Sequence, residues 1–174
     1  SISSFKKGKA TGNSKIFYRS GQLKSSIDFV QGKKHGQLIT YWDNNIKKRE
    51  DKFINGNFVD GKCYNRNEEE IEFYPYETMP EFPGGQSALF KFLGKNINYP
   101  TKAKAKNIQG KVYINFIVTK EGEISNAYVI KGVYPSLDAE ALRVINHMPD
   151  WSPGKQDGEV VSVKYNIPIN FKLR

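Results

Sequence analysis

Two histidines, one cysteine and a run of three glutamates are the side chains in this sequence with the clearest potential for metal, nucleophilic or acid–base chemistry. His35 and His147 lie far from each other and from Cys63, without the short ligand spacings of a zinc site. Cys63 has no histidine near it in sequence to activate a thiolate. Glu68-Glu69-Glu70 could supply the carboxylate pair of a hydrolase, but it sits among polar residues just before a proline cluster and reads as solvated. Phosphate-loop chemistry fails on spacing. Pro83-Gly84-Gly85-Gln86 lacks the following lysine, and Pro153-Gly154-Lys155 follows a helical pattern instead of preceding one. Trp151 could stack on a ligand, although an aromatic there also suits a core plug behind the last strand. No acid–base or nucleophile–base constellation can be assembled. The chain reads as a non-enzymatic protein without a cofactor or metal.

Composition limits what can position any other kind of site. Only 38% of the 174 residues are hydrophobic and mean hydropathy is −0.62, which favours thin sheets and small cores over a thick enzyme body. The net charge of +9 is spread evenly, +5 over residues 1–74 and +4 over residues 75–174. A nucleic-acid protein concentrates its basic residues on one face or helix, so the lysines read as solvated surface. One cysteine excludes an intrachain disulfide. No apolar run reaches the length of a membrane-spanning helix, and "SISSFKKGKATG" has no signal-peptide pattern. The sequence reads as the soluble part of something longer.

Residues 1–74 repeat with a period of 24, seen in Phe5, Phe29 and Phe53 and in Gly8, Gly32 and Gly56. Gly12 and Gly36 keep the period, Gly61 comes one residue late, and the aromatic pairs Phe17-Tyr18 and Tyr41-Trp42 recur in register. Each unit reads as two strands joined by a tight turn, at Ser20-Gly21 and at Asn44-Asn45, where Gly and Asn accept positive φ. A single hairpin of this length cannot bury its own apolar face, so the units are expected to stack into one antiparallel sheet. Gly12, Tyr18, Gly21, Leu23 and Lys24, followed by Gly36, Trp42, Ile46 and Lys47, resemble the MORN-type repeat family in its bacterial variant. That resemblance implies a spacer or contact surface and no common chemistry.

The Pro75, Pro80 and Pro83 cluster marks a linker over residues 75–83, and a second domain is expected over 84–174. Leu89, Phe92, Leu93 and Ile97 have helical spacing, ended by Tyr99-Pro100. A single helical turn follows over "TKAKAKN". Val112, Ile114, Phe116 and Val118 alternate as a strand with one buried face, Lys120-Glu121-Gly122 is a turn, and Ile124–Ile130 returns. Leu137, Ala141, Val144, Ile145 and Met148 form one helical stripe. In the last segment Val161, Val163, Tyr165, Ile167, Ile169 and Phe171 alternate with Ser162, Lys164, Asn166, Pro168, Asn170 and Lys172. Pro168 lacks a donor and belongs on an edge or at a bulge, so this long strand is expected to leave an edge open to another chain.

The order of these elements, with Tyr99-Pro100, Ala103, Ile108-x-Gly110-x-Val112, Gly122, Trp151 and Pro153-Gly154-Lys155, resembles the C-terminal domain of the TonB energy transducers. The fold implied is α+β, an N-terminal sheet of antiparallel β-hairpin repeats followed by a three-stranded antiparallel sheet packed by helices. The resemblance also implies partners: the TonB box of a TonB-dependent outer-membrane transporter, and an ExbB/ExbD-like motor complex reached through an anchor outside this sequence. It implies a periplasmic location tied to the inner membrane. The TonB box would add as a strand along Val160, Val161, Ser162, Val163, Lys164, Tyr165, Asn166, Ile167 and Ile169. Asn98, Tyr99 and Pro100 would form a second contact, unless Tyr99 and Pro100 serve only to end a helix. The MORN-like units occupy the place where the family carries a proline-rich stretch, which leaves a second reading open. In that reading the chain is an envelope scaffold that binds anionic polymers or a protein without transducing energy.

Overall fold

Turn residues set the architecture of the first unit. The computed structural model describes residues 1–173, and the chain divides into two compact units that meet between Tyr74 and Pro75 in sequence. The first holds β1 (Ile2–Lys6), β2 (Lys9–Phe17), β3 (Leu23–Val30), β4 (Lys33–Tyr41), β5 (Lys47–Ile54), β6 (Asn57–Tyr64) and β7 (Glu70–Ile71). They pair antiparallel in chain order as one seven-stranded sheet. Lys7-Gly8, Gln31-Gly32 and Asn55-Gly56 each have positive φ at both residues, as two-residue turns that match the strand twist require. At the opposite ends of the strands Gly21, Asn45 and Glu68 hold the left-handed position, with φ of 89°, 67° and 65°.

Contacts between repeats keep the sequence period. The Gly32 N–H donates to the Ala10 carbonyl and the Gly56 N–H to the Lys34 carbonyl, both at 2.8 Å. On the other side the Tyr18 hydroxyl donates to the Tyr41 carbonyl at 2.8 Å, and the Trp42 indole N–H to the Tyr64 carbonyl at 3.1 Å. Turn and aromatic of one repeat thus satisfy backbone groups of the next, the nearest-neighbour coupling expected of a repeat array.

Ile27, Leu38, Thr40, Phe53 and Cys63 are buried in this unit, together with a complete ion pair. Arg49 and Asp51 are both fully enclosed, with Arg49 Nε donating to Asp51 Oδ2 at 3.0 Å. Arg49 Nη2 donates to the Tyr74 carbonyl at 2.9 Å, and the guanidinium lies 5.5 Å from the Phe73 ring and 5.1 Å from that of Tyr74. Gly61 makes room for the pair, since a Cβ there would overlap the Asp51 carboxylate and crowd Phe73.

The second unit comprises β8 (Glu77–Thr78), α1 (Gly85–Asn96), α2 (Thr101–Ala105), β9 (Gly110–Val118) and β10 (Ile124–Lys131). It continues with α3 (Pro135–Asn146), β11 (Gly154–Gln156), β12 (Glu159–Val161) and β13 (Val163–Phe171). One sheet has the order β10-β9-β13 and a small one the order β12-β11-β8. Val112, Ile114, Phe116 and Val118 on β9 are fully buried, against Leu137, Ala141, Val144 and Ile145 of α3 and the inner face of β13. The structure is therefore α+β, with an antiparallel hairpin sheet and then a three-stranded antiparallel sheet packed by helices.

Two stretches differ in detail from the sequence reading. The segment 75–83 carries β8, paired with β11, and its Phe82 is buried against Trp151 with ring centroids 5.7 Å apart. The run Val160–Ile169 is not one strand. The Asp157-Gly158 turn folds Val160 and Val161 back onto Lys155 and Gly154, whereas Val163 pairs with Val118. The chain changes sheet at Ser162.

Removing Asp51 would leave Arg49 charged and enclosed without its carboxylate. Asp51→Ala should destabilise the first unit by about 3–5 kcal/mol, read as a shift of the denaturant transition followed by Trp42 fluorescence in a Trp151→Phe background. Gly122 holds φ at +93° with the Trp151 carbonyl pressed against the place where a Cβ would stand. Gly122→Ala should cost about 2–3 kcal/mol in the transition of the second unit, followed by Trp151 in a Trp42→Phe background.

Candidate strand-docking edge

The inner face of β13 is fixed by packing. Ile167, Ile169 and Phe171 are buried, and Tyr165 lies 5.6 Å from the Phe116 ring and 5.1 Å from that of Trp151. Trp151 is 3% exposed and packs edge-on against Phe82 and Phe116 as well, so it is a core plug. Lys164, Asn166, Pro168 and Asn170 alternate with these residues and are exposed. Asn166 Oδ1 accepts from Asn115 Nδ2 at 2.6 Å, which ties the open face of β13 to β9.

One edge of β13 is occupied by β9 over nine consecutive pairs, from Val163↔Val118 to Phe171↔Gly110, without a register shift. The other edge has no strand beside it in this sheet. Backbone direction alternates along a strand together with side-chain direction, so Lys164, Asn166, Pro168 and Asn170 share one backbone orientation. Past the end of β13, the Leu173 N–H donates at 2.9 Å to the side-chain oxygen of Gln109, which directly precedes β9. Pro168, which has no N–H to give, stands on this edge strand, where proline is tolerated.

The opposite edge of the same sheet is different. β10 pairs with β9 through two register shifts, at Ser125/Tyr128 and at Val129/Lys131. Bulges of this kind twist an edge and blunt it against further pairing. A regular, unbulged edge is thus found on β13 and not on β10.

The sequence-derived contacts fall into separate places. Val163, Lys164, Tyr165, Asn166, Ile167 and Ile169 all lie on β13, Val160 and Val161 lie on β12, and Ser162 is the joint between them. The edge also extends to Asn170 and Phe171, whose alternation is visible in the sequence but which the contact set stopped short of. Tyr99 reaches this strand: its ring meets that of Phe171 edge-on at 5.9 Å, and its hydroxyl donates to the Ile108 carbonyl. Pro100 stands before the first turn of α2, where its carbonyl accepts the Lys104 N–H at 2.9 Å.

Asn98 is held from another direction. Its N–H donates to Glu140 Oε1 at 2.6 Å, Glu140 is paired with Arg143 Nε at 2.8 Å, and Arg143 Nη2 returns to the Asn96 carbonyl at 2.7 Å. This closed circuit fixes the segment between α1 and α2. The Arg143 hydrogen bond holds the Glu140 carboxyl below the usual carboxylate range; partial burial opposes the shift and the Asn98 N–H adds to it.

The residues with potential for chemistry have ordinary partners. His147 Nδ1 meets the Arg143 carbonyl at 2.7 Å, His35 lies beside Asn55, Glu70 pairs with Lys62 at 2.8 Å, and Cys63 is buried. No group of three or more His, Cys, Asp or Glu side chains is placed to hold a metal among the described residues. None of the described helices is long and apolar enough to cross a membrane.

The β10-β9-β13 sheet thus leaves one regular edge open and is backed by helices on one face. Residues 95–173 match the family model described as the Gram-negative bacterial TonB protein C-terminal. Two solution NMR structures of the Helicobacter pylori TonB C-terminal domain, of different lengths, are similar to this chain. One is 21% identical with a TM-score of 0.40, covering 49% of this chain and 90% of that one. The other is 22% identical with a TM-score of 0.41, covering 53% of this chain and 87% of that one. No curated protein matches. The second unit is TonB-like over the matched residues.

Glu140 supplies a pH test of the Asn98 circuit. A carboxyl whose folded pKa is depressed contributes stability above its unfolded value, about 4.3 for glutamate, and loses it as pH falls through the folded value. The Asn98 amide resonance should therefore stay unchanged from neutral pH down to about 4.3 and move below it. Glu140→Gln should abolish that movement; a midpoint above the usual glutamate range would contradict the circuit.

Proposed function

We propose that this chain is the periplasmic part of a TonB-like energy transducer that docks on TonB-dependent outer-membrane transporters by strand addition. The observation that carries the proposal is the regular free edge of β13, over Val163–Phe171, inside the stretch that matches the TonB C-terminal family. The transporter's TonB box adds to that edge, where backbone hydrogen bonds supply affinity and alternate side chains supply selectivity. Several such bonds lie side by side along the strand, so a pull along it loads them together.

Lys164, Asn166 and Asn170 offer backbone donors, and Pro168 leaves a gap among them that the partner's register has to respect. Asn98, Tyr99 and Pro100 form the secondary contact through the end of β13 that Tyr99 touches, with Val160 and Val161 outside the docked strand. The chain performs no catalysis. An anchor outside this sequence joins it to an ExbB/ExbD-like motor in the inner membrane. The hairpin array of the first unit is compatible with MORN-type repeats and serves as the spacer between anchor and docking domain.

Titration of the full chain with a synthetic TonB-box peptide, followed by amide NMR, tests this reading. Shifts are expected along Lys164–Phe171, with smaller ones at Tyr99. Two peptides N-methylated at alternate residues should differ sharply. One parity retains binding, because its methyl groups point away from β13, and the other loses it. No shift on β13 at millimolar peptide, or equal binding by both N-methylated forms, would overturn strand addition.

A further inference from the structure

The three hairpins of the first unit make the same turn with different residues. Two positions before each turn glycine stand Lys6, Val30 and Ile54, and one before it stand Lys7, Gln31 and Asn55. One position after it stand Lys9, Lys33 and Asn57, so the lysines at these places fall from three to one to none along the array. The turn needs only positive φ at its two central residues, which all three hairpins have. The lysines are therefore no part of how the hairpin is made. Across the strands the outer positions face each other, as Lys6↔Lys9, Val30↔Lys33 and Ile54↔Asn57. Like charges directly opposite one another destabilise a sheet, and of these three pairs only the first carries that cost.

That pair borders a cleft of about 520 Å³ lined by Lys6, Lys7, Lys9, Thr11, Val30 and Gln31. Thr11 stands opposite Ser4 in the register that places Lys9 opposite Lys6, so Lys6, Lys9 and Thr11 share one face of the sheet. Lys7 and Gln31 come from the tips of two neighbouring turns. The next repeat sets the stem of Lys9, because a side chain on Gly32 would begin 3.7 Å from the Lys9 Cβ. No carboxylate lines the cleft among the described residues, and Lys6, Lys7 and Lys9 are exposed and take part in no ion pair there. Protection of a sheet edge by lysine accounts for Lys6 and Lys7, which belong to or follow the edge strand β1. It does not account for Lys9, because β2 is paired on both sides.

We infer that this cleft binds a phosphate monoester. Three ammonium groups around one space suit a group that carries close to two negative charges and presents three acceptor oxygens. The Thr11 hydroxyl and the Gln31 amide add neutral donors. Lysine meets phosphate as a point charge, whereas carboxylate recognition favours the arginine fork, and no arginine lines the cleft. It also lacks the aromatic ring on which a nucleobase would stack. A bound dianion offsets the repulsion between Lys6 and Lys9, which gives the like-charged pair a use. The monoester belongs to a soluble phosphorylated molecule or to a lipid headgroup, and Val30 meets the adjoining carbon in either case. This site is independent of strand docking on β13.

Glycerol 1-phosphate, a monoester, is titrated into the full chain at low salt and compared by amide NMR with dimethyl phosphate, a diester of single charge. The monoester should shift the amides of residues 6–11 and of Val30 and Gln31, with an affinity about fivefold above that of the diester at equal ionic strength. Lys6→Val with Lys7→Gln gives the first turn the residues that the second turn carries. That variant should keep the circular dichroism spectrum of the chain and lose the monoester shifts, and Lys9→Gln should weaken them. Lys102→Gln with Lys104→Gln, which removes the same charge from the second unit, should leave them in place. Phosphatidylcholine vesicles containing phosphatidic acid then distinguish the two sources. Sedimentation of the chain with them, reversed by glycerol 1-phosphate, supports the site with a lipid headgroup as its ligand. Monoester shifts without sedimentation support it with a soluble ligand. Absence of the monoester shifts, equal affinity for monoester and diester, or shifts that survive Lys6→Val with Lys7→Gln would overturn the site.

Discussion

Tyr165, Phe116 and Trp151 form the contact on which the rest of the second unit depends. The three rings meet with centroids 5.1–5.7 Å apart, and this packing locks the inner face of β13 onto β9. A strand held that firmly along one face and one edge has little freedom to close its remaining edge by twisting or bulging. Unpaired backbone groups on an edge are normally a hazard that proteins blunt. Here the blunting is applied to β10, and on β13 it is limited to Pro168 and Lys164. The contrast between two edges of one sheet argues for use of the bare one more strongly than its exposure does. Gly122 belongs to the same arrangement, because the Trp151 N–H donates to its carbonyl at 2.9 Å and a side chain there would push the Trp151 backbone away.

The first unit solves a different problem with repeated parts. Its hydrophobic content is small, and its order comes from turn glycines, aromatic donors and one enclosed ion pair. Arg49 and Asp51 are buried alongside Leu38, Thr40 and Cys63. Burying both is tolerated only while the pair is complete, and a further Arg49 N–H reaches the Tyr74 carbonyl. The pair therefore makes the end of the array dependent on Phe73 and Tyr74, which follow β7.

Much of this was legible in the sequence because it is written in periods. The 24-residue spacing of glycines and aromatics announced the hairpin array, and the alternation Val112 to Val118 announced the central strand. Pro168 pointed to an edge because a missing N–H has few places in a sheet. What could not be read has a common cause, the choice of partner. Alternation across Val161 and Val163 is unbroken, so nothing local shows that the chain changes sheet at Ser162. The deciding features are the Asp157-Gly158 turn and the position of β11. Arg49 and Asp51 carry no local signal of burial, because only their cover in the fold shows it. Phe82 is a lone aromatic between prolines, with no period to reveal that it enters the core.

The coupling between repeats has a further consequence for evolution of length. Successive repeats are joined through a glycine-turn amide and an aromatic donor at equivalent positions, Tyr18 and Trp42, and each adds two strands, about 9–10 Å of sheet at the usual strand spacing. Whole repeats can be gained or lost by duplication without redesigning either end, since the new junctions copy the old ones. The array is in this sense a graduated ruler, whose width can be set in fixed increments while the fold of the second unit stays the same.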